Sequence, residues 1–378
     1  VIPTLVAAKT DVSSPTTNNG TNGTATASPK YVCGAAARRR QDQADVGPAY
    51  CPLPEGFVAN WDDMLAFWGY LLTKGLKLSL EAMDCPVLLT TPCQWSRDEL
   101  ERTTQLFFER FNVPGLYIVE QPLLALYGCG MLTGLVIDIG HNFTDIVPVI
   151  DSAIQHHALH RLPIGGADIE TRLLHLLRQD TELVAQLGES LDEVFSRYVK
   201  EHHLKISLPG LHSTNEQTQP STEPLSFEYN GQKVTIRASL SSCVQVLFEP
   251  SLVDKVCLDL ASAVEKSILA CDSDKRTALW DGLVLTGGIA RIQGLQSELD
   301  RHLARVLTCS ENFSETQVRE AKFHKIPEYF TGYKDRPDLM TFLGGTIMAK
   351  LVFADPKNYV NKVDYNEMGP VAVTTKSC

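Results

Sequence analysis

The segment Leu135-Val136-Ile137-Asp138-Ile139-Gly140 narrows the folds open to this chain more than any other. It reads as an apolar, buried strand that runs into an acidic residue and a glycine. A second strand is expected at Thr144–Ile150 and a third near 158–162, after which Gly165-Gly166 turns into a helix over 168–178. Three strands, a glycine turn and a helix make one β-β-β-α unit. Leu283-Val284-Leu285-Thr286-Gly287-Gly288 repeats the strand–glycine pattern much further along. A glycine behind a strand lets a backbone approach phosphate closely, and a following helix N-terminus favours the anion. Either element alone reads as an ordinary turn.

The flanking segments alternate in the same way. Apolar residues Met64, Leu65, Trp68, Leu71 and Leu72 fall at helical spacing over 61–78, with Asn60 as N-cap and Asp62 and Asp63 in the first turn. The run 85–91 reads as a buried strand. Ser96 with Glu99 three residues on is a capping box that opens a helix to about Arg110. A strand at 116–119 and a short helix over 122–130 follow. Asn230-Gly231 joins two strands, Leu225–Tyr229 and 234–236, as a hairpin. Helices are expected near 253–270 and 294–306. This alternation argues for a layered α/β fold. Residues 11–29 and 213–224 are polar and cannot bury enough surface to offset their ordering, so they read as loops, the first inserted between short strands near 4–8 and 30–33.

At 378 residues the chain is long for one core, so two lobes are expected. Its formal charge of −11 makes it a poor wrapper of nucleic acid, since phosphate neutralisation needs clustered Lys and Arg; Arg38-Arg39-Arg40 reads as a solvated face. The ten cysteines form no C-x-x-C pair and sit in apolar stretches, as free thiols in a reducing compartment do. The sequons at Asn19, Asn22, Asn142 and Asn312 read as chance. No apolar run is long enough to span a membrane. Val1-Ile2-Pro3-Thr4-Leu5-Val6 reads as the middle of a domain, so the natural N-terminus is expected upstream.

In order along the chain, the motifs resemble those of actin. Asn60-Trp61-Asp62-Asp63-Met64 resembles N-W-D-D-M, Val87-Leu88-Leu89-Thr90 resembles V-L-L-T, and Phe111-Asn112-Val113-Pro114 resembles F-N-T-P. Gln121 with Leu126-Tyr127 is similar to Q-x-x-x-S-L-Y, the stretch from Asp138 to Thr144 to D-S-G-D-G-V-T, and Arg161-Leu162 with Gly166 and Asp168 to R-L-D-L-A-G-R-D. Leu285-Thr286-Gly287-Gly288 resembles L-S-G-G, Phe342-Leu343-Gly344-Gly345 resembles W-I-G-G, and Asp364 to Pro370 resembles Y-D-E-S-G-P. The resemblance covers nearly the whole chain. It implies an α/β, actin-like (actin/Hsp70/hexokinase-type) two-lobe fold with a central cleft. The small lobe would be 1–128 and 340–378, with a disordered insertion at 11–29, and the large lobe 129–339. Within the family, Thr144 to Asp151, Pro163-Ile164-Gly165-Gly166, Pro327-Glu328-Tyr329-Phe330 and Phe353 to Lys357 are most similar to the fungal subfamily numbered nine, a subunit of SWI/SNF- and RSC-type remodellers.

The resemblance also identifies a vestigial nucleotide site. Asp138 keeps one carboxylate, Gln121 stands at the water-positioning place, Lys200 and Glu201 match the adenine-side pair, and Gly140, Gly287 and Gly288 keep the loops. The departures weigh against catalysis. His141 replaces the second Asp, and an imidazole does not stand in for a hard oxygen ligand of a magnesium–water shell. Asp145 stands where a water-orienting His is expected, Asn142 replaces a loop glycine, Ile289 replaces a Thr, and the first phosphate loop would lie upstream of Val1. The expectation is no hydrolysis, no catalytic residue, no metal, no resident cofactor and no tight ATP binding. Asp138 then reads as a strand-end carboxylate capping local backbone amides, and His141 as a solvated or hydrogen-bonded loop histidine.

In actins a hydrophobic cleft receives partner helices, and its matching positions are Tyr127, Gly130, Leu132, Ile347, Met348 and Leu351; plain core packing of one helix stripe would look the same. The subfamily resemblance implies a nuclear scaffold subunit. It would pair with a second actin-related protein, bind the helical HSA segment of a Snf2-type ATPase beside a small stabilising subunit, and meet the nucleosome only through the complex. The alternatives are a pointed-end actin-related subunit of dynactin, which would be cytoplasmic, and a working actin-like ATPase, which His141 and the inserted loops oppose.

Overall fold

The computed structural model describes residues 4–8, 31–39, 47–206, 225–237, 240–309 and 320–376. The polar segments expected as loops at 11–29 and 213–224 lie outside them, as do the sequons at Asn19, Asn22 and Asn312. The chain divides into two compact units, Val1–Glu120 with Leu351–Cys378, and Gln121–Lys350.

The first unit holds a three-stranded sheet in which Val87–Thr91 runs parallel to Gly115–Glu120 and Val360–Asn361 pairs antiparallel on the other side. The helix Arg97–Glu109 makes the crossover. Its start follows the sequence: the Glu99 amide donates to Ser96 Oγ at 3.2 Å and the Ser96 amide donates back to Glu99 Oε2 at 2.8 Å. The helix Trp61–Tyr70 is capped by Asn60, whose side chain accepts from the Asp62 amide at 2.9 Å. Edge-on contacts Trp68–Phe107 and Phe107–Phe111, at 5.1 and 5.3 Å between ring centres, fill the space between helices and sheet. The helix expected over 61–78 keeps α geometry only to Tyr70. From Leu71 to Gly75 it widens, with the Leu76 amide donating to the Leu71 carbonyl at 2.8 Å, and it ends at Lys77 with φ 57°. Val6–Ala8 and Tyr31–Cys33 form a separate antiparallel pair.

The second unit is built on a six-stranded sheet. Leu283–Thr286 runs parallel to Gly134–Ile139, which pairs antiparallel with Thr144–Ile150. The third strand is shorter than expected, His160–Leu162, because a tight turn occupies His156–Ala158. Helices Gly166–Leu177, Glu193–His202, Leu260–Leu269, Ser273–Trp280 and Leu295–Cys309 cover the sheet and enclose one large core containing Ile137, Ile146, Leu173, Phe195 and Trp280. The hairpin Leu225–Tyr229 with Gln232–Ile236 turns at Asn230 and Gly231, both at positive φ (50° and 77°), as a tight primed turn requires. In place of one helix over 253–270 there is a short turn, Pro250–Val253, followed by Leu260–Leu269.

The unit boundaries differ from those read in the sequence. Residues 121–128 and 340–350, expected in the small lobe, belong to the second unit. The helix Gln121–Gly128 packs on the strands Gly134–Ile139, Thr144–Ile150 and Leu283–Thr286 of that unit, and the helix Met340–Val352 crosses it closely. A Cβ on Gly344 would stand 1.8 Å from the Leu124 carbonyl oxygen, and one on Gly128 2.5 Å from that of Met340. Cys129 Sγ meets Met340 Sδ at 3.3 Å beside the crossing.

Candidate nucleotide site and partner surface

Parallel pairing sets Thr286 beside Asp138, so the two strand–glycine elements end together at one edge of the sheet. Asp138, Gly140, Gly287 and Gly288 are thereby gathered as the sequence suggests. Gly287 sits at φ +94°, and a Cβ there would come within 2.4 Å of the Ile139 carbonyl oxygen and 2.5 Å of Asp138 Oδ1. Gly165 is pressed equally hard on the neighbouring loop, 2.7 Å from the His141 carbonyl oxygen by the same measure. These glycines are therefore required by the approach of protein backbone to protein backbone. Gly288 is different: nothing lies within 4 Å of a Cβ there.

The start of the helix Gly166–Leu177 is occupied in the same way. The Gly166 amide donates to the Gly140 carbonyl at 2.9 Å, the Ala167 amide to the His141 carbonyl at 2.7 Å, and the Gly165 amide to Asp168 Oδ2 at 2.9 Å. Three N–H groups at this helix start are thus already bound to protein oxygens.

Among the described residues Asp138 takes no hydrogen bond, so it does not cap local amides as expected. It is half-buried at the strand end, its carboxyl crowded by the neighbouring loops. Burial pushes it up to about 6, and the negative charge of Asp145 adds to the rise. Asp145 itself is held by Arg161 in a two-pronged pair, Nε to Oδ1 at 2.7 Å and Nη2 to Oδ2 at 2.9 Å, and the guanidinium also lies over the Phe143 ring. Gln121 opens its helix half-buried, with no hydrogen bond to Asp138.

The structure separates Lys200 from Glu201. Glu201 is exposed, whereas Lys200 is buried and its ammonium donates to Glu170 Oε1 at 2.5 Å, with the Gly166 carbonyl at 3.4 Å. Arg197, one turn earlier on the same helix face, donates to Glu170 Oε2 at 3.0 Å through Nη2. Burial opposes ionisation of Glu170 and is the largest single influence, but the hydrogen bonds and charges of Arg197 and Lys200 together outweigh it and hold the carboxyl below its ordinary range. His141 Nδ1 lies 3.9 Å from Glu170 Oε1, which ties the loop histidine to the same cluster. Ile289 covers the turn from the other side, its Cδ1 2.8 Å from where a Gly166 Cβ would be. Glu170 and Arg197 are not among the residues that the sequence marks for the site. The available signal was Arg197 and Lys200 at i, i+3 on a helix whose Phe195 and Val199 belong to the core.

None of the six positions matched to the actin cleft is fully buried. On the helix Met340–Val352, Gly344, Ile347, Met348 and Leu351 form one stripe. It starts at the buried crossing with Leu124, passes through half-buried Ile347 and Met348, and ends at Leu351, 65% exposed and in the first unit. Tyr127 is half-buried, Leu132 is 61% exposed, and exposed Gly130 turns the chain at φ +73°.

Two strand–glycine loops thus meet a glycine turn where the strands Gly134–Ile139 and Leu283–Thr286 end. The whole chain, residues 1–378, matches the family described as Actin. It is 30% identical over 332 residues to actin-related protein 2 of Acanthamoeba castellanii, covering 84% of this chain and 80% of that protein. It is 29% identical over 349 residues to actin-related protein 2 of Arabidopsis thaliana, covering 89% and 84%. The chain belongs to the actin family, among the actin-related proteins. Both relatives bear the name actin-related protein 2, so the comparison establishes this class and not the fungal subfamily suggested by the motifs.

Proposed function

We propose that this chain is a non-catalytic actin-related scaffold subunit, whose nucleotide site serves as an internal structural joint and whose exposed apolar stripe receives a partner helix. The observation that carries the reading is the commitment of the site's polar groups to one another. Lys200 and Arg197 hold Glu170, Asp145 is bound by Arg161, and the amides of Gly166 and Ala167 are spent on loop carbonyls. A magnesium–nucleotide complex needs open amides, free cations and oxygen ligands for the metal–water shell. The residues named above do not offer these: the cations and helix-start amides are engaged with protein groups, and Asp138 is a single carboxylate.

The motifs that resemble the fungal remodeller subfamily support a finer form of the proposal. The chain is a nuclear subunit of a SWI/SNF- or RSC-type complex, paired with a second actin-related protein and a small stabilising subunit on the helical HSA segment of a Snf2-type ATPase. The names of the two relatives favour a second reading, in which it is a counterpart of actin-related protein 2. Affinity purification of the tagged chain, with partners identified by mass spectrometry, separates the two. Recovery of a Snf2-type ATPase with another actin-related protein supports the first, and recovery of cytoplasmic actin-related partners without the ATPase overturns it. Leu132→Asp with Leu351→Asp should lose the partner helix while the chain stays folded.

A further inference from the structure

We propose that the strap 327–339 is a relay built into the second unit: it grips the second glycine loop at both ends and runs straight into the helix Met340–Val352, so that loop and helix move together. The link stands on contacts of the strap itself. Its use, to pass the seating of a partner helix on to the glycine loop, rests on the scaffold reading above. The strap is stiff because its backbone bonds back on itself at regular intervals. The Phe330 amide donates to the Pro327 carbonyl at 3.0 Å, and the amides of Tyr333, Arg336 and Leu339 donate to the carbonyls of Phe330, Tyr333 and Arg336 at 2.9 Å each. Successive turn bonds of this kind hold a short segment in one shape. Lys334 pairs with Glu328 at 3.0 Å, and the Tyr329 and Phe330 rings lie 4.5 Å apart.

The grip on the loop is polar at both ends. Before the glycines, the hydroxyl of Thr286, a residue 2% exposed, donates to the Pro337 carbonyl at 2.9 Å. After them, Arg291 Nε lies 3.9 Å from Asp338 Oδ1, and Arg336 holds the same carboxylate with two bonds, Nε to Oδ1 at 2.9 Å and Nη2 to Oδ2 at 2.7 Å. The Thr286 bond is the stronger pin because it is buried. The side chains of Arg291 and Arg336 are 53% and 41% exposed, so water weakens their hold. The turns Ile289–Arg291 and Pro337–Leu339 pack on each other between the two pins. Met340 opens the helix at the very next residue. It is 2% exposed, and its carbonyl oxygen stands 2.5 Å from where a Gly128 Cβ would be, so the helix start is wedged between the strap and the crossing helix. A contiguous chain of bonds and packed backbone thus joins loop to helix.

Hydrogen exchange on the full chain, read on peptides from 287–293 and 341–347, tests the relay. Peptides from the helix Leu260–Leu269 serve as reference for the stability of the whole unit. Thr286→Val, which keeps the shape and drops the donor, should raise exchange roughly three- to tenfold in both segments against the reference. Thr286→Ser, which restores the hydroxyl, should stay within about twofold of wild type. Arg336→Met, an exposed change on the strap, should still raise exchange in the loop 287–293 by roughly twofold, and it keeps the test open if Thr286→Val fails to fold. The relay is overturned if Thr286→Val loosens one segment alone, if serine behaves as valine, if the reference loosens equally, or if Arg336→Met leaves the loop unchanged. These readouts need no partner, so failure of the relay and failure of the scaffold reading are seen separately.

Discussion

Gly344→Ala should unlatch the crossing that holds residues 340–350 against 121–128. The added Cβ would stand 1.8 Å from the Leu124 carbonyl oxygen, where an ordinary contact begins near 3.4 Å. Both neighbours are helix backbone and no flexible side chain can yield, so the helices must part by about 1.6 Å at the crossing. A gap of half an ångström to one ångström already forfeits a quarter to a half of each dispersion contact. Leu123, Leu124, Leu126, Met340 and Leu343, all buried there, would lose packing together. The cost should exceed the usual overpacking penalty of about 1–3 kcal/mol and reach about 4 kcal/mol. Because the chain has two units, a single global transition is a poor reporter. Hydrogen exchange read on peptides from the two helices is a better one, and about 4 kcal/mol corresponds to roughly a thousandfold loss of protection. Gly288→Ala, with open space around its Cβ, serves as control and should change protection by less than about 0.5 kcal/mol. A Gly344→Ala loss below about 1 kcal/mol would refute the crossing as a tight backbone-to-backbone latch.

Two further outcomes follow from the charges in the site. The Asp138 carboxyl titrates near 6 in the folded chain against an ordinary 3.8, so the folded state holds the proton more tightly and stability falls as pH rises between those values. Asp138→Asn should therefore stabilise the chain by about 1–2 kcal/mol near neutral pH, after allowance for partial solvent contact, with no gain in acid below both values, as read from thermal melts across pH. Arg161→Met strips Asp145 of both hydrogen bonds and should cost about 2–3 kcal/mol, with Arg161→Lys recovering only part because a lysine cannot span both oxygens; equal melts for Met and Lys would contradict the two-pronged pairing.

Features set by neighbours in the chain were legible in the sequence. Asn60, the Ser96–Glu99 box, the strand Thr144–Ile150 and the Asn230-Gly231 hairpin each depend on a few adjacent residues, and each forms as expected. The gathering of Asp138 with Gly287 was legible as well, because each ends an apolar run and the motif order resembles actin. What depends on distant partners was hidden. Glu170 reads as one more polar residue on an amphipathic helix, and only the fold shows that residues 27 and 30 positions on neutralise it. Lys200 and Glu201 are adjacent in sequence, yet helix geometry turns one inward and the other to solvent. Gly128 and Gly344 gave no sign of meeting, since nothing local marks where two helices touch. The widening after Tyr70 was equally silent, as Leu71 and Leu72 continue the apolar spacing.

We propose that this actin-family site is committed to internal contacts and works without nucleotide. Equilibrium titration of the purified chain with a fluorescent ATP analogue and magnesium, run beside a phosphate-release assay, tests it most directly. The account predicts no saturable binding and no phosphate release above background for the wild type. Saturable binding with phosphate release that disappears in Asp138→Ala would contradict it.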